Sequence, residues 1–227
     1  MKLLSVNVSL PEQVPHENKT VSTGIFKEPV EGWVMLRTTN LDGDGQADLE
    51  NHGGIYQAAY AYSVENYDHW RRELGREDLA FGQFGENFTV EGMAEDDVHI
   101  GDVFRVGDAL VEVTQPRTPC FKLGIKMTMP EFPKRFLASG RIGFYLRVLR
   151  EGEVGAGDAF ELVESDPEHM TVREMSRLLF FEPENLEGAR RALRIRALSP
   201  GWRSSFEERL TKAGDEQNED AEKESSG

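Results

Sequence analysis

The residues best suited to chemistry lie in the segment QPRTPCFKL, residues 115–123, which contains the only cysteine of the chain. Arg117 and Lys122 lie within three residues of Cys120. Nearby cations favour the thiolate form of a cysteine, which attacks electrophiles and binds soft metals. Unpaired cysteines are, however, among the most buried residue types and often pack as small hydrophobic side chains. The segment alone therefore leaves Cys120 as either a reactive thiolate or a core residue.

Two prolines in this segment predict that the chain leaves its strand there. Pro116 and Pro119 each fix φ and lack the N–H group that a strand ladder needs. Loops at the ends of strands are common positions for binding sites. We therefore expect Cys120 at the mouth of a β structure, with Arg117 and Lys122 either binding anionic groups or remaining as solvated charges.

A second segment with chemical potential is LENHGGIYQA, which places His52 before Gly53 and Gly54. Glycines tolerate positive φ and let a ligand approach the backbone N–H groups, as an anion cradle requires. The alternative is a plain turn with a surface histidine. A further hypothesis makes Cys120 a nucleophile and His52 its base.

Several other functions are disfavoured by the sequence. The acidic segment LDGDGQADLENHG does not match a calcium-binding EF-hand loop, because Ala47 and Gly53 stand where the loop requires glycine and glutamate. The one cysteine and five histidines lack zinc-ligand spacing, and the dinucleotide, P-loop and GxSxG motifs are missing.

The charge of the chain points to small molecules and proteins as partners. Its 26 basic and 41 acidic residues give a net charge of −15, which argues against binding to nucleic acid or to an anionic membrane. No apolar run approaches the roughly 20 residues of a membrane-spanning helix. The N-terminus lacks the features of a signal peptide, so we expect a cytoplasmic protein.

The elements that position these residues are predicted to be mainly strands over residues 1–165. Ala109, Val111 and Val113 alternate with more polar residues, as one buried face of a strand requires. Similar short runs, with few helices between them, favour a closed or nearly closed barrel. The runs are MKLLSVNVSL, FGENFTVEG, SGRIGFYLRVL and GAGDAFELV.

Helices are predicted in two parts of the chain. Within the β-rich part, SVENYDHWRRELG and MPEFPKRFLASG each predict one helix, the first with Ser63 as N-cap and Gly75 at its end. Residues 166–210 predict a small three-helix domain, whose helices begin near the Thr171–Glu174 capping box, Pro183 and Pro200. Residues 211–227 are acidic and lack large apolar side chains, which predicts disorder.

Six motifs occur in a fixed order: GDGQAD, NHGG, FGENFTVEG, IGDVFRVG, QPRTPCFKL and SGRIGFYLRVLREGEVGAGD. Together they resemble the MOSC domain family, related to the C-terminal part of molybdenum cofactor sulfurases, and most closely its YiiM-like branch. The resemblance covers about residues 1–165, and the segment TVREMSRLLF resembles the three-helix domain of that branch. It implies a mainly β fold: a MOSC-type β-barrel with few short helices, followed by a small three-helix domain.

The resemblance also implies a cofactor, the molybdenum cofactor (molybdopterin), a pterin dithiolene that carries molybdenum and a phosphate. The cysteine of the family's PRxPC motif is a molybdenum ligand, which makes Cys120 the metal ligand and the catalytic residue. The implied cofactor-binding residues are Arg117, Lys122, His52, Gly53, Gly54, Asn87 and Arg141. The chain departs from the family pattern after the glycine pair, where Ile55, Tyr56 and Gln57 replace a common Pro, Asp and basic residue. This change predicts a different hold on the phosphate or a different substrate preference.

The implied activity is an oxidoreductase that reduces N-hydroxylated compounds such as hydroxylaminopurine-type bases. Electrons would come from an external donor protein, since the chain has no flavin or iron–sulfur motif. The alternative is a non-redox carrier that holds the cofactor, or a sulfur atom on Cys120, for delivery. The helical domain could line the substrate entrance, form a homodimer or bind the electron donor, and its basic run at 190–196 is either a solvated face or a docking surface.

Overall fold

The computed structural model describes residues 1–47 and 53–225, with side chains up to residue 215. Its β-strands are β1 (Lys2–Val8), β2 (Glu12–His16), β3 (Lys19–Thr23), β4 (Glu28–Pro29), β5 (Trp33–Leu36), β6 (Ala59–Ser63), β7 (Phe88–Glu91), β8 (Val103–Val106), β9 (Ala109–Pro116), β10 (Phe144–Arg150), β11 (Gly152–Gly155) and β12 (Phe160–Glu164). Its helices are α1 (Glu65–Leu74), α2 (Phe121–Met127), α3 (Phe132–Ser139), α4 (Val172–Phe180), α5 (Leu186–Ala192) and α6 (Pro200–Ser225). The prediction of a mainly β fold is confirmed.

Eight strands form one curved sheet in the order β12-β8-β9-β10-β6-β7-β1-β4. Two small sheets, β5 with β11 and β2 with β3, complete the β structure of the described residues. All neighbours in the large sheet are antiparallel except β6 and β7, which are parallel because α1 connects them. This connection brings the segment before β7 next to the start of β6.

The large sheet approaches a barrel without closing it. Lys2 and Ala159 form an isolated bridge, and the Leu3 N–H donates to the Asp158 carbonyl at 2.8 Å. The Gly157 N–H donates back to the Leu3 carbonyl, also at 2.8 Å. Among the described residues, no ladder joins the edge strands β12 and β4. The predicted barrel is therefore a strongly curved sheet with a short seam.

Two apolar clusters hold the fold together. The first fills the inside of the sheet and includes the predicted inward face of Ala109, Val111 and Val113. The second lies between the sheet and helices α1–α3, and it is rich in aromatic rings such as Trp70 and Phe136, whose centroids lie 5.7 Å apart. Buried aromatic side chains remove large apolar areas from water, so this second cluster fixes the helices that flank the QPRTPC segment.

The two helices predicted in the β-rich part are confirmed as α1 and α3. Gly75 ends α1 with φ 63°, as predicted, but Val64 is the N-cap, and Ser63 instead hydrogen-bonds the Glu65 carboxylate. Helix α2 begins directly after Cys120, where the sequence predicts only a loop. It forms because both prolines lie upstream of its first turn and so break none of its hydrogen bonds.

The three predicted C-terminal helices are α4, α5 and α6. The capping box is present, with the Glu174 N–H donating to Thr171 Oγ1 at 3.0 Å. Helix α5 begins after Asn185, whose side chain caps it, rather than at Pro183. Helix α6 continues to Ser225, which differs from the disorder predicted from 211 onward. The segment is rich in the helix-forming residues Ala, Glu, Lys and Gln.

Ion pairs and apolar contacts attach the helices to the sheet. Arg194 binds the Glu168 carboxylate through two hydrogen bonds of 2.7 Å, and Arg191 donates to the Glu168 carbonyl at 3.1 Å. Two residues of the basic run thus fix α5 to the connection before α4. Along the described ranges, no helix combines the length and the apolar character needed to cross a bilayer.

Candidate functional site

The QPRTPC segment places Cys120 between a strand and a helix. Strand β9 ends at Pro116, residues 117–119 cross the mouth of the sheet, and Cys120 precedes α2 with extended backbone, φ −119° and ψ 171°. The Cys120 side chain is half-buried and forms no disulfide. It lines a cleft and, at the same time, a neighbouring groove, so it lies at a binding surface rather than inside the apolar core.

The cleft has a volume of about 110 Å³ and a cationic wall. Its described lining consists of three cations, the thiol of Cys120, four glycines and eight further neutral residues. The cations are Lys27, Arg117 and Lys122, and no carboxylate occurs among the described lining residues. Asp44 pairs with Lys27 behind this lining, so the excess positive charge of the cleft comes from Arg117 and Lys122. In a chain with a net charge of −15, this local excess favours an anionic ligand.

Arg117 is fixed under the cleft by aromatic and backbone contacts. Only 5% of its surface is exposed, its Cζ lies 4.4 Å from the centroid of the Tyr60 ring, and its guanidinium donates to the Phe84 carbonyl. Burial acts to lower the pKa of Arg117, but Tyr60, Tyr145 and Cys120 act to raise it, and the balance leaves it above its usual value. Arg117 is thus a rigid cation beside the thiol.

Lys27 is a cleft residue that the sequence did not indicate. Its side chain is 9% exposed and forms an ion pair with Asp44, whose side chain is 2% exposed. Burial lowers the pKa of Lys27, and Asp44 opposes that effect. Asp44 belongs to the acidic segment LDGDGQADLENHG, and Lys27 lies 17 residues earlier on the chain, between Phe26 and Glu28. In the sequence, Lys27 is marked only by its position directly after the apolar residues Ile25 and Phe26.

Asn87 lines the cleft and connects its two sides. The Asn87 amide donates to Asp44 Oδ2 at 3.0 Å, and its oxygen accepts from the Tyr60 N–H at 3.1 Å. The adjacent Glu86 is fully buried and accepts hydrogen bonds from the N–H groups of Gly82, at 2.9 Å, and Phe84, at 3.0 Å. These contacts show why the FGENF motif is needed: it forms the loop that positions Arg117 and Lys27.

Gly53 and Gly54 differ in their position relative to the cleft. Gly53 lines the cleft with φ +102°, a backbone conformation that favours glycine, and the end of the Gln46 side chain occupies the space where a Cβ atom would lie. Its N–H donates to Gln57 Oε1 at 3.2 Å. Gly54 precedes the 3₁₀ turn Ile55–Gln57 and is not part of the described cleft lining. His52 lies outside the described residues, so its roles as pocket residue and base stay predictions.

Arg141 lies away from the cleft. Its guanidinium donates to Asn66 Oδ1 at 3.0 Å, and the Asn66 amide donates to the buried Glu95 carboxylate at 2.9 Å. Arg141 therefore joins the start of β10 to α1. Of the predicted residues, the structure brings Cys120, Arg117, Lys122, Gly53 and Asn87 together and leaves Arg141 and Gly54 outside.

A neutral groove adjoins the cationic cleft. It has a volume of about 560 Å³ and lies between the mouth of the sheet and the first turns of α6, which contribute Trp202 and Ser205. The groove and the cleft share three lining residues, Gln57, Cys120 and Tyr145. A ligand in either compartment can therefore reach the thiol.

Comparison with known proteins gives two family matches. The model described as MOSC domain matches residues 48–161, and the model described as YiiM-like, 3-alpha helix domain matches residues 170–213. The chain is 42% identical over 204 residues to the uncharacterized protein YflK of Bacillus subtilis, a match covering 90% of this chain and 92% of that protein.

Two further relatives extend the comparison. A Gibberella moniliformis protein named "Reductase" is 34% identical over 162 residues, which cover 70% of this chain and 29% of the fungal protein. The crystal structure of YiiM from Geobacillus stearothermophilus aligns with a TM-score of 0.78 at 33% identity, over 92% of this chain and 98% of that one. The predicted resemblance and the predicted three-helix domain are confirmed.

Proposed function

Because this chain belongs to the MOSC domain family, we propose that it is a molybdenum-cofactor-binding oxidoreductase that reduces N-hydroxylated compounds, with hydroxylaminopurine-type bases as the substrate class. The observation that carries the proposal is the cleft itself. It combines three cations and one thiol, with no carboxylate among its described lining residues, in a strongly acidic protein. The relative named "Reductase" supports the oxidoreductase class.

The residues of the cleft fit the chemistry of a molybdenum cofactor. The phosphate of the cofactor is anionic and needs cationic or N–H donors, and Arg117, Lys27 and Lys122 offer them. A soft metal prefers sulfur ligands, which Cys120 supplies.

The roles of the chain follow from these positions. Cys120 would hold the molybdenum, and the three cations would hold the anionic groups. When bound, the cofactor supplies two-electron redox chemistry toward an N–O bond. The stacked Tyr60 and the Phe84 carbonyl keep Arg117 in one orientation, so the cationic wall needs little rearrangement on binding. Electrons would come from an external donor protein.

The test measures the molybdenum content and the rate of substrate reduction of protein that is expressed in a host able to make the molybdenum cofactor. Wild-type protein should contain molybdenum and reduce hydroxylaminopurine with a chemical reductant. We expect Cys120→Ala to lower the rate at least about 100-fold, since even residues that only support a metal ligand contribute 10–100-fold. Ser22→Ala, a change of similar size on β3 and outside the cleft, should behave like wild type.

Two outcomes would contradict the proposal. If Cys120→Ala reduced the substrate at the wild-type rate, the thiol would not be needed for the reaction. Molybdenum in the wild-type protein without turnover on N-hydroxylated substrates would favour the carrier function instead.

A further inference from the structure

The groove beside the cleft differs from it in charge. None of its described lining residues is charged, whereas the cleft carries three cations. The two compartments meet at Cys120 and Tyr145. A cationic compartment suits an anionic cofactor, and a neutral one with aromatic and amide side chains suits an uncharged ring compound.

Gln115 presents a side-chain amide to the groove. It lines the groove and is 4% exposed, yet its side-chain amide forms no hydrogen bond to any residue in the part of the chain that the structure describes. The amide atoms are not among the buried side-chain atoms without a partner, so they are open to the groove. The unpaired donor and acceptor of Gln115 are therefore available to a molecule in the groove.

A β-bulge is associated with the position of Gln115. In the ladder between β9 and β10, Val113 pairs with Leu146 and Gln115 pairs with Tyr145, so Thr114 is an extra residue. A bulge changes the side to which the following side chain points. Thr114 Oγ1 binds the carbonyl oxygens of Tyr56, at 2.7 Å, and Tyr145, at 3.2 Å, which stabilises the bulge and holds two groove residues beside it.

Aromatic side chains contribute to the walls of the same groove. Trp202 on α6 is half-buried, and its ring packs edge-on against Phe180 with centroids 5.9 Å apart. Tyr56 and Tyr145 line the groove as well. Aromatic faces bind flat rings by stacking, and a side chain that is already packed loses little freedom when it does so.

We infer that the substrate of the proposed function binds in this groove, and that Gln115 and Trp202 are the residues that select it. The Gln115 amide would hydrogen-bond to an adjacent donor and acceptor on the ring edge, as a glutamine amide does with the N6 and N7 edge of adenine. Trp202 would stack on the ring. The inference rests on the proposed function, because it places the substrate beside the thiol of Cys120.

The first test measures binding of hydroxylaminopurine to the full chain by calorimetry. We expect Gln115→Leu, which keeps the size of the side chain and removes the amide, to weaken binding about tenfold. Trp202→Leu should weaken binding to a similar extent and reduce the quenching of tryptophan fluorescence. The matched controls Gln13→Leu on β2 and Trp33→Leu on β5, both at exposed positions, should bind as wild type does.

The second test compares two substrates in the molybdenum-loaded enzyme. Gln115→Leu should raise the KM for hydroxylaminopurine about tenfold and leave the KM for hydroxylamine and the molybdenum content unchanged. Equal effects on both substrates, unchanged affinity for the base, or a wild-type protein that does not bind the base would overturn the inference. Binding without turnover of either substrate would refute the proposed function while the pocket assignment stands.

Discussion

At the scale of single residues, Lys126 shows how the cationic wall is supported from behind. Its ammonium donates to the carbonyl oxygens of Gly82, at 2.6 Å, and Ile25, at 2.9 Å. Burial lowers the pKa of Lys126 to about 8, while Glu86 acts to raise it and two further cations act to lower it. When the pKa of a buried group differs from its value in the unfolded chain, the free energy of unfolding depends on pH.

The sign of this dependence follows from the two pKa values of Lys126. Between about 8 in the folded protein and the ordinary 10.5, the unfolded chain binds a proton that the folded chain does not. The contribution of Lys126 to the free energy of unfolding therefore rises with pH, by about 2 kcal/mol between pH 7 and pH 9.5.

Urea unfolding at pH 7 and pH 9.5 should show this rise in the wild-type protein and in Lys134→Met, which removes an exposed lysine. In Lys126→Met, the part of the rise in the free energy of unfolding that comes from Lys126 should be absent. An equal rise in Lys126→Met and wild type would show that Lys126 is not the titrating group.

At the scale of elements, the loop before β7 determines the shape of the cleft. Gly85 adopts φ +80°, and a Cβ atom there would lie 2.7 Å from Cγ1 of Ile25, another cleft residue. Both the backbone and the space at this position require glycine. Gly32 has a similar φ of +78° but nothing within 4 Å of its missing Cβ. Substituting alanine at Gly32 tests the backbone strain alone, whereas alanine at Gly85 tests the strain together with steric overlap.

Gly85→Ala is predicted to destabilise the fold more than Gly32→Ala. Positive φ alone costs about 1 kcal/mol for alanine, and overlap in a packed site adds about 1–3 kcal/mol. Urea unfolding should give about 2–4 kcal/mol for Gly85→Ala and about 1 kcal/mol for Gly32→Ala. Equal losses would mean that Ile25 moves aside without cost.

At the scale of the whole molecule, the sheet and the helical domain share one apolar core. Phe206 on α6 and Met175 on α4 are fully buried in the same cluster as Val111 and Leu146 of the sheet. Helix α6 also carries Trp202, so its packing positions one wall of the groove. Because the core is continuous, we expect the two parts to unfold together.

Phe206→Ala should therefore destabilise the entire molecule. Deleting a fully buried phenylalanine costs about 3–5 kcal/mol. The helical circular dichroism signal and tryptophan fluorescence should decrease in one transition at a lower Tm, and the binding of hydroxylaminopurine should weaken. Phe181→Ala, at a residue that is 51% exposed, should leave the Tm nearly unchanged. Two separate transitions would show that the domains fold independently.

The sequence by itself determined the class of the fold and the centre of the site. Strict alternation at Ala109, Val111 and Val113 predicted a buried strand face, and the Thr171 capping box predicted the start of α4, because both are local patterns. The order of the motifs identified the family. The prolines around Cys120 predicted that the chain leaves the strand there.

Only the tertiary structure decided which side chains meet at that centre. Alternation would place Gln115 on the same face as Val113, but the bulge at Thr114 interrupts the period of two. Lys27 joins the cleft through Asp44, and Trp202 reaches the groove near Cys120 from the far end of the chain. Local patterns report which face of an element is buried, whereas the neighbours of a residue depend on how distant elements pack.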